Sequence, residues 1–469
     1  MFMKKEQRKK KTPYWVSLCL LLLIAFTCGC KDDPVSQSGY DPSKPVVFTD
    51  FSPDEGNLLT PFYIKGENFG TDPSKVHITI GGQNANAIGC NGHEIYCMVP
   101  RRAFDGIVKV SIESADGKSS FEYEFEKRFN YVSKTSVGTL CGGRDEYGTS
   151  ADVDGTFKEA RFSDPQWLLL DTFGTERCLY VSIPGKSIRK IDLDNQVVST
   201  LITNGQGSFS SMQFTSFDIT GDTIFISDDN GRDEQDRMGI GYLLRSESFR
   251  KAQPYVYDGR NYSCTYHPIT KNVYYSSFLK ATLKKVITDP EKGKIPQEVC
   301  QTYPDNEHAY LIMHPTGRYM YILGVNCVYK STYNPTTKKF ETPIIYAGQY
   351  RANSYADGSV TTARFDGPKQ GTFVKNEDYV KAGKSDVYDF YLCDSYNHCI
   401  RKITPDGFVS TYAGRGSISS DNNPSGSNDG DLRKEARFNL PSGIVYDEET
   451  HTFYICEMWN MAIRTISVE

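Results

Sequence analysis

Between residues 45 and 126, apolar and polar positions alternate in short runs separated by turn residues. The runs at 62–64, 76–80, 95–99, 107–112 and 121–125 have a period of two, which turns one face of each inward. Strands at this spacing over roughly eighty residues predict a small sandwich of the immunoglobulin type. Beyond it the pattern repeats. Asp154-Gly155…Ala160-Arg161-Phe162…Pro165 recurs as Asp357-Gly358…Ala363-Arg364-Phe365…Pro368. It recurs again, one residue longer, as Asp429-Gly430…Ala436-Arg437-Phe438…Pro441. Each copy is followed by two strand-like runs, at 178–182 and 188–191, 390–394 and 400–403, and 453–457 and 463–466. Degenerate copies fall between, at 223–228 with 242–245, 272–276 with 282–286, and 319–323 with 327–330. Six units over residues 160–469, each long enough for a four-stranded sheet, predict a β-propeller of about six blades.

The ends of this region suggest how it closes. The last unit reaches Glu469 after its third strand. Residues 136–142 (SVGTLCG) resemble 409–414 (VSTYAG) and 343–348 (PIIYAG), which close other units. Residues 135–141 are therefore expected to supply the missing outer strand, which would hide two sheet edges. The expected organisation is a leader at 1–29, a flexible tether at 30–44, a sandwich at 45–130 and a propeller at 135–469. The fold class is all-β. No long amphipathic helical run follows residue 30, and the 31 Tyr and 26 Phe favour strands.

The first thirty residues have a different pattern. A basic stretch (Lys4, Lys5, Arg8, Lys9, Lys10, Lys11) precedes twelve apolar residues at 15–26. Twelve is short for a bilayer span and fits the apolar core of a secretory signal peptide. Gly29-Cys30 then follows, a small residue before a cysteine, as in a lipobox. Cys30-Lys31-Asp32-Asp33 resembles the surface-export signal of Bacteroidota lipoproteins. This resemblance implies acylation at Cys30 and an outer-membrane location facing the cell exterior. The alternatives are an ordinary membrane anchor or a cleaved secretion signal. Removing the leader's six basic and one acidic residues leaves 47 Lys and Arg against 57 Asp and Glu, a net charge of −10. With no basic run after residue 11, nucleic acid is a poor partner, and the membrane would be met through lipid only.

Two further resemblances rest on motifs. Phe51-Ser-Pro53, Ile64-Lys-Gly66-Glu-Asn68-Phe69-Gly70, Ile80-Gly-Gly82, Val99-Pro100 and Gly106…Val108-Lys-Val110 resemble the IPT/TIG domain, which implies a spacer or interaction module without catalysis. Gly66 and Gly70 are read as turn residues at positive φ. Asp394-Ser-Tyr-Asn397-His398 with Ile400-Arg401-Lys-Ile403 resembles the NHL repeat of β-propellers.

Candidate chemistry is sparse. Arg189, Arg401 and Arg464 recur at one strand position, and repetition argues for a structural role. The Phe of each Ala-Arg-Phe reads as a wedge between blades. His267, His308 and His314 are placed near one end of the central channel, with no metal-ligand spacing. Ten cysteines follow Cys30 without a Cys-x-x-Cys pair. Cys90 and Cys97 could either bond or pack as small apolar residues. No cofactor or metal is expected, and no residue is assigned a catalytic role. Asp228, Asp229, Asp394 and Glu457 fall at strand ends of different blades, where a catalytic acid pair would need them. The main expectation is binding. Trp459 aligns with Tyr396, each in a turn beside Asp394, Asn397 or Glu457. Aromatic rings with such neighbours suit a sugar, whose C–H faces stack while polar groups take the hydroxyls. Trp167 reads as core. The expected role is glycan capture at the cell surface, as an accessory to polysaccharide uptake with an outer-membrane transporter as neighbour. The alternatives are a protein-binding envelope scaffold and a glycan lyase or glycosidase.

Overall fold

The structure, a computed structural model, describes residues 40–468 except 42, 114–119, 145–147, 149–150, 232–236, 278–280, 303–307 and 417–423. The expected leader, Cys30 and most of the expected tether lie outside the described residues. The chain divides into two compact units, one ending at Val132 and one beginning at Ser133.

The first unit is a β-sandwich. Val47–Ser52, Pro61–Glu67, Glu94–Met98 and Gly89–Cys90 form one sheet. Gln83–Asn86, Val76–Ile80, Val108–Glu113 and Ser120–Glu124 form the other. Alternate residues meet in a core that includes Phe51, Phe62, Ile64, Ile78, Ile95 and Val110. Gly70 is at φ +76, as a turn glycine should be. Gly66 is not a turn residue. It lies within the strand Pro61–Glu67, and a Cβ there would fall 2.0 Å from the Val47 carbonyl oxygen and 2.4 Å from the Phe69 ring. Close approach, not positive φ, requires that glycine. Cys90 stands opposite Ile95 and Cys97 opposite Phe62, and both thiols are free. Cys97 is fully buried, and burial pushes its thiol up to about 12.

The second unit is a six-bladed β-propeller. Blade 1 contains Trp167–Asp171, Cys178–Ile183, Ser187–Asp192 and Val197–Thr203. Blade 2 contains Met212–Phe217, Thr223–Asp228, Met238–Leu244 and Gln253–Tyr257. Blade 3 contains Asn261–Tyr266, Val273–Ser277, Thr282–Asp289 and Gly293–Gln301. Blade 4 contains Tyr310–Met313, Tyr319–Gly324, Cys327–Asn334 and Ile344–Gly348. Blade 5 contains Pro368–Lys375, Tyr388–Asp394, Cys399–Ile403 and Phe408–Ala413. Blade 6 contains Pro441–Asp447, Thr452–Glu457 and Ala462–Val468, and its outer strand is Thr135–Gly142, paired antiparallel with Ala462–Val468. All four strands of a blade are antiparallel, so the turn between its second and third strands shares one face with the connector entering its first. We call this the turn face.

The repeated residues explain how the connectors are held. Arg401 is fully buried. It donates to Asp394 (2.7 Å), Asp357 (2.8 Å) and the carbonyls of Arg364 and Ala356 (2.9 and 2.6 Å). Its guanidinium also lies 5.0 Å from the ring centroid of Phe365. Arg464 does the same with Glu457, Asp429, Arg437, Asn428 and the ring of Phe438. Arg189 does so with Asp154, Val153, Arg161 and the ring of Phe162. In blade 1 the second-strand carboxylate is replaced by Asp152 of the connector, 3.3 Å from Arg189. A threonine on each outer strand completes the latch. Thr200, Thr411 and Thr139 donate to Asp154, Asp357 and Asp429 at 3.1, 2.9 and 3.0 Å. Each Phe lies against the glycine ending the preceding blade's outer strand. A Cβ on Gly142, Gly348 or Gly414 would sit 2.9, 3.0 or 2.9 Å from the ring of Phe162, Phe365 or Phe438.

Candidate ligand-binding face of the propeller

The axis of the propeller is plugged below the turn face. Trp167 stacks on Phe214 with ring centroids 4.8 Å apart and lies 6.1 Å from Tyr310, while its indole N–H donates to the Thr215 carbonyl at 3.0 Å. Tyr262 meets Phe214 and Tyr310 edge-on. Gln370 of blade 5 spans to blade 1, donating to the Leu168 carbonyl at 2.7 Å and accepting from the Leu168 N–H at 2.9 Å. It also accepts from the Ile444 N–H of blade 6 at 3.2 Å. A cavity of about 260 Å3 is lined by these inner strands, among them Trp167, Thr215, Thr265 and Gln370. A ligand arriving from the turn face would therefore meet a floor of aromatic rings.

The five residues read from the sequence as ligand-binding divide sharply. Tyr396 is 56% and Trp459 54% exposed. Asp394, Glu457 and Asn397 are buried and already bonded. Asp394 faces Arg401 and accepts from Asn397 Nδ2 (2.9 Å) and the Asp366 N–H (2.8 Å). Burial raises its pKa to about 6, with Arg401 pulling the other way. Glu457 faces Arg464 and accepts from Asn460 Nδ2 (3.0 Å) and the Asn439 N–H (2.7 Å). Burial pushes its pKa up as well. Asn397 also donates to the Ser354 carbonyl and Asn460 to that of Gly426. These bonded groups build the turns that present Tyr396 and Trp459. Asn460 plays the same part as Asn397 and was legible from its alignment one residue after Trp459.

The acid pair expected from Asp394 and Glu457 does not form, because each is committed to the arginine of its own blade. Asp228 is buried and capped by the N–H groups of Ser210 and Ser211, at 3.0 and 2.6 Å. The three histidines do not meet either. His308 precedes the innermost strand of blade 4 on the turn face, and His314 follows that strand on the opposite face. His267 follows the innermost strand of blade 3, where its ring nitrogen accepts from the N–H groups of Ile269 and Thr270. Among the described residues no cluster of His, Cys, Asp and Glu is placed to hold a metal.

The mouth of the axis holds one of the three histidines expected there, together with residues that no motif marks. His308 stacks on Tyr262 with centroids 3.9 Å apart and rings 9° from parallel. Burial lowers its pKa, with Asp229 opposing and Lys369 reinforcing the effect. Asp164 accepts from Gln166 Nε2 at 2.7 Å. Lys369 reaches Met458 Sδ at 2.9 Å. Tyr396 lies over Gly367, where a Cβ would come within 2.5 Å of its ring. Tyr396, Gly367, Lys369, Met458 and Trp459 thus form a continuous strip across blades 5 and 6. No repeat marks the residues at the mouth itself, because each blade contributes a different one.

The fold and this face define a class: an IPT/TIG sandwich followed by a six-bladed propeller with an aromatic-bearing mouth. Residues 45–126 match the IPT/TIG domain. The chain is similar to an auxiliary nutrient binding protein from Bacteroides thetaiotaomicron. The identity is 37% over 92% of this chain and 100% of that one, with a TM-score of 0.66. An auxiliary nutrient binding protein from Bacteroides ovatus is 32% identical over 92% and 100%, with a TM-score of 0.75. A third protein, from Bacteroides thetaiotaomicron and named as a candidate phosphatase, is 32% identical over 92% and 98%, with a TM-score of 0.67. The chain belongs to the family these Bacteroides proteins represent. No curated protein matches it.

Proposed function

We propose that this protein is an accessory to nutrient capture that holds a glycan on the turn face of its propeller. The carrying observation is the pair of half-exposed rings, Tyr396 and Trp459, in equivalent turns of neighbouring blades. Each turn is fixed by a buried carboxylate and the asparagine that donates to it. A large aromatic side chain held half in water by its own turn is placed for contact and contributes little to the core. The names of two relatives, auxiliary nutrient binding proteins, support the same role.

The finer reading adds that the propeller repeat is of the NHL type and that Cys30 carries lipid. The protein would then sit on the outer membrane facing outward, beside a polysaccharide transporter. Glycan arrays and affinity gels with the purified protein test the binding role. Trp459→Ala is expected to weaken binding at least tenfold, roughly the 1.4 kcal/mol of one stacked ring. Unchanged binding would remove this site. Incorporation of a labelled fatty acid, lost in Cys30→Ser, tests the anchor.

A further inference from the structure

The strip between Tyr396 and Trp459 contains a cation that, among the described residues, makes no ion pair. Lys369 enters where pairing of the innermost strand of blade 5 slips between Pro368 and Gly371, which turns its side chain toward blade 6. Its ammonium has three donors, and the acceptor it meets is the thioether of Met458, a weak one. Among the described residues no carboxylate is in ion-pair contact with it. Burial lowers its pKa, with Asp164 the largest opposing influence. A half-buried ammonium that has lost water without gaining a carboxylate is costly, and such costs gather where a ligand completes the site.

The surroundings narrow the ligand. Asp164, in the connector entering blade 1, and Asp229, in the turn after the second strand of blade 2, stand on the turn face, where both act on Tyr262 while Lys369 and Asp229 act on His308. Asp164 accepts one side-chain hydrogen bond and Asp229 one from the Gly231 N–H, which leaves acceptor positions on both carboxylates. One cation beside two carboxylates disfavours a polyanion. It suits a molecule with a single negative charge and several hydroxyls.

Resting on the glycan reading above, we propose that the axial mouth recognises a sugar acid, a pyranose bearing one carboxylate as in a uronic-acid residue. Lys369 takes the carboxylate, and Asp164 and Asp229 accept hydroxyls. Esterifying the carboxylate removes the charge and keeps the ring, which makes the methyl ester the decisive comparison.

Calorimetric titration of the full chain with oligosaccharides that carry a single galacturonate or a single glucuronate residue, each beside its methyl ester, tests the proposal. At least one acid is expected to bind about tenfold more tightly than its ester, the scale of one charge-assisted contact. Added salt should shrink that margin. Lys369→Met should abolish the margin and leave ester binding intact. Trp459→Ala should weaken acid and ester alike. Equal affinity for acid and ester in the unaltered protein overturns the sugar-acid proposal while leaving the glycan site standing. So does a margin that survives Lys369→Met, or tighter binding of a heavily sulfated glycan. Absence of binding to acids, esters and neutral glycans overturns both readings. Should Lys369→Met fail to fold, Lys369→Gln and the salt dependence of the unaltered protein still decide.

Discussion

Blades 1, 5 and 6 close around a buried arginine, whereas blades 2, 3 and 4 fill the same position in three other ways. In blade 3 it is Lys284, which donates to Asp258 at 2.7 Å, with Tyr275 donating to the same oxygen at 2.9 Å. In blade 2 it is Gly241, and the ring of Phe209 occupies the space, so that a Cβ would come within 2.7 Å of it. In blade 4 it is Tyr329, packed among Leu311, Ile322 and Phe340. The comparison separates what a blade must do from how it does it. Every blade has to pin the connector entering it, since the connector carries backbone donors and acceptors into the core. An arginine can satisfy two of these carbonyls and two carboxylates at once with its planar fork. A lysine reaches fewer, and an aromatic ring substitutes packing for hydrogen bonds.

The largest effect should come from the seam where the two ends of the propeller meet. Deleting residues 458–469 removes the third strand of blade 6 and leaves Thr135–Gly142 without its partner. The propeller should then lose its cooperative melting transition. A native-like transition would show that the seam is dispensable.

Next come the latches. Arg401→Met leaves Asp394 fully buried without the cation that opposes the burial, and should cost about 3–5 kcal/mol in denaturant unfolding. Arg189→Met should cost less, about 2 kcal/mol, because its partners Asp152 and Asp154 are 24% and 50% exposed and can recover water. Equal losses would mean that the hydrogen bonds to backbone carbonyls, common to both, dominate.

A smaller effect is expected where the regular and degenerate halves join. Although burial pushes Asp386 upward, His314 Nε2 at 3.4 Å and the hydrogen bond from Tyr319, both of blade 4, bring its pKa down to about 2. A carboxylate with a lowered native pKa stabilises above its unfolded value, and that contribution is lost as pH falls through the native value. Asp386→Asn should therefore cost about 1 kcal/mol at neutral pH after solvent screening, with the difference from the unaltered protein vanishing toward pH 2. A loss independent of pH would assign Asp386 a packing role.

The smallest effect on stability belongs to the exposed rings. Tyr396→Ala and Trp459→Ala should leave the melting transition within about 0.5 kcal/mol of the unaltered protein. A larger shift would return those rings to a packing role.

Much of this architecture was legible in the residues. Strand alternation marked the sandwich, and the three Ala-Arg-Phe copies marked the connectors, the wedge and the latch together. The candidate site was legible only in part. Trp459 and Tyr396 could be aligned, but the carboxylates beside them, Asp394 and Glu457, looked equally available for a ligand. Their occupation by Arg401 and Arg464, seven residues further on, depends on a hairpin that folds back across the blade. The histidines show the same gap. His308 and His314 are six residues apart, yet a four-residue strand (Tyr310–Met313) carries them to opposite faces.

By itself, the sequence determined the two β domains, the number of blades and the positions that must be buried, because periodicity and repetition are local properties of the chain. Only the tertiary structure decided what reaches the mouth. Asp164, Asp229, Tyr262, His308 and Lys369 come from five different blades, and only closure of the ring brings their connectors and turns to one axis.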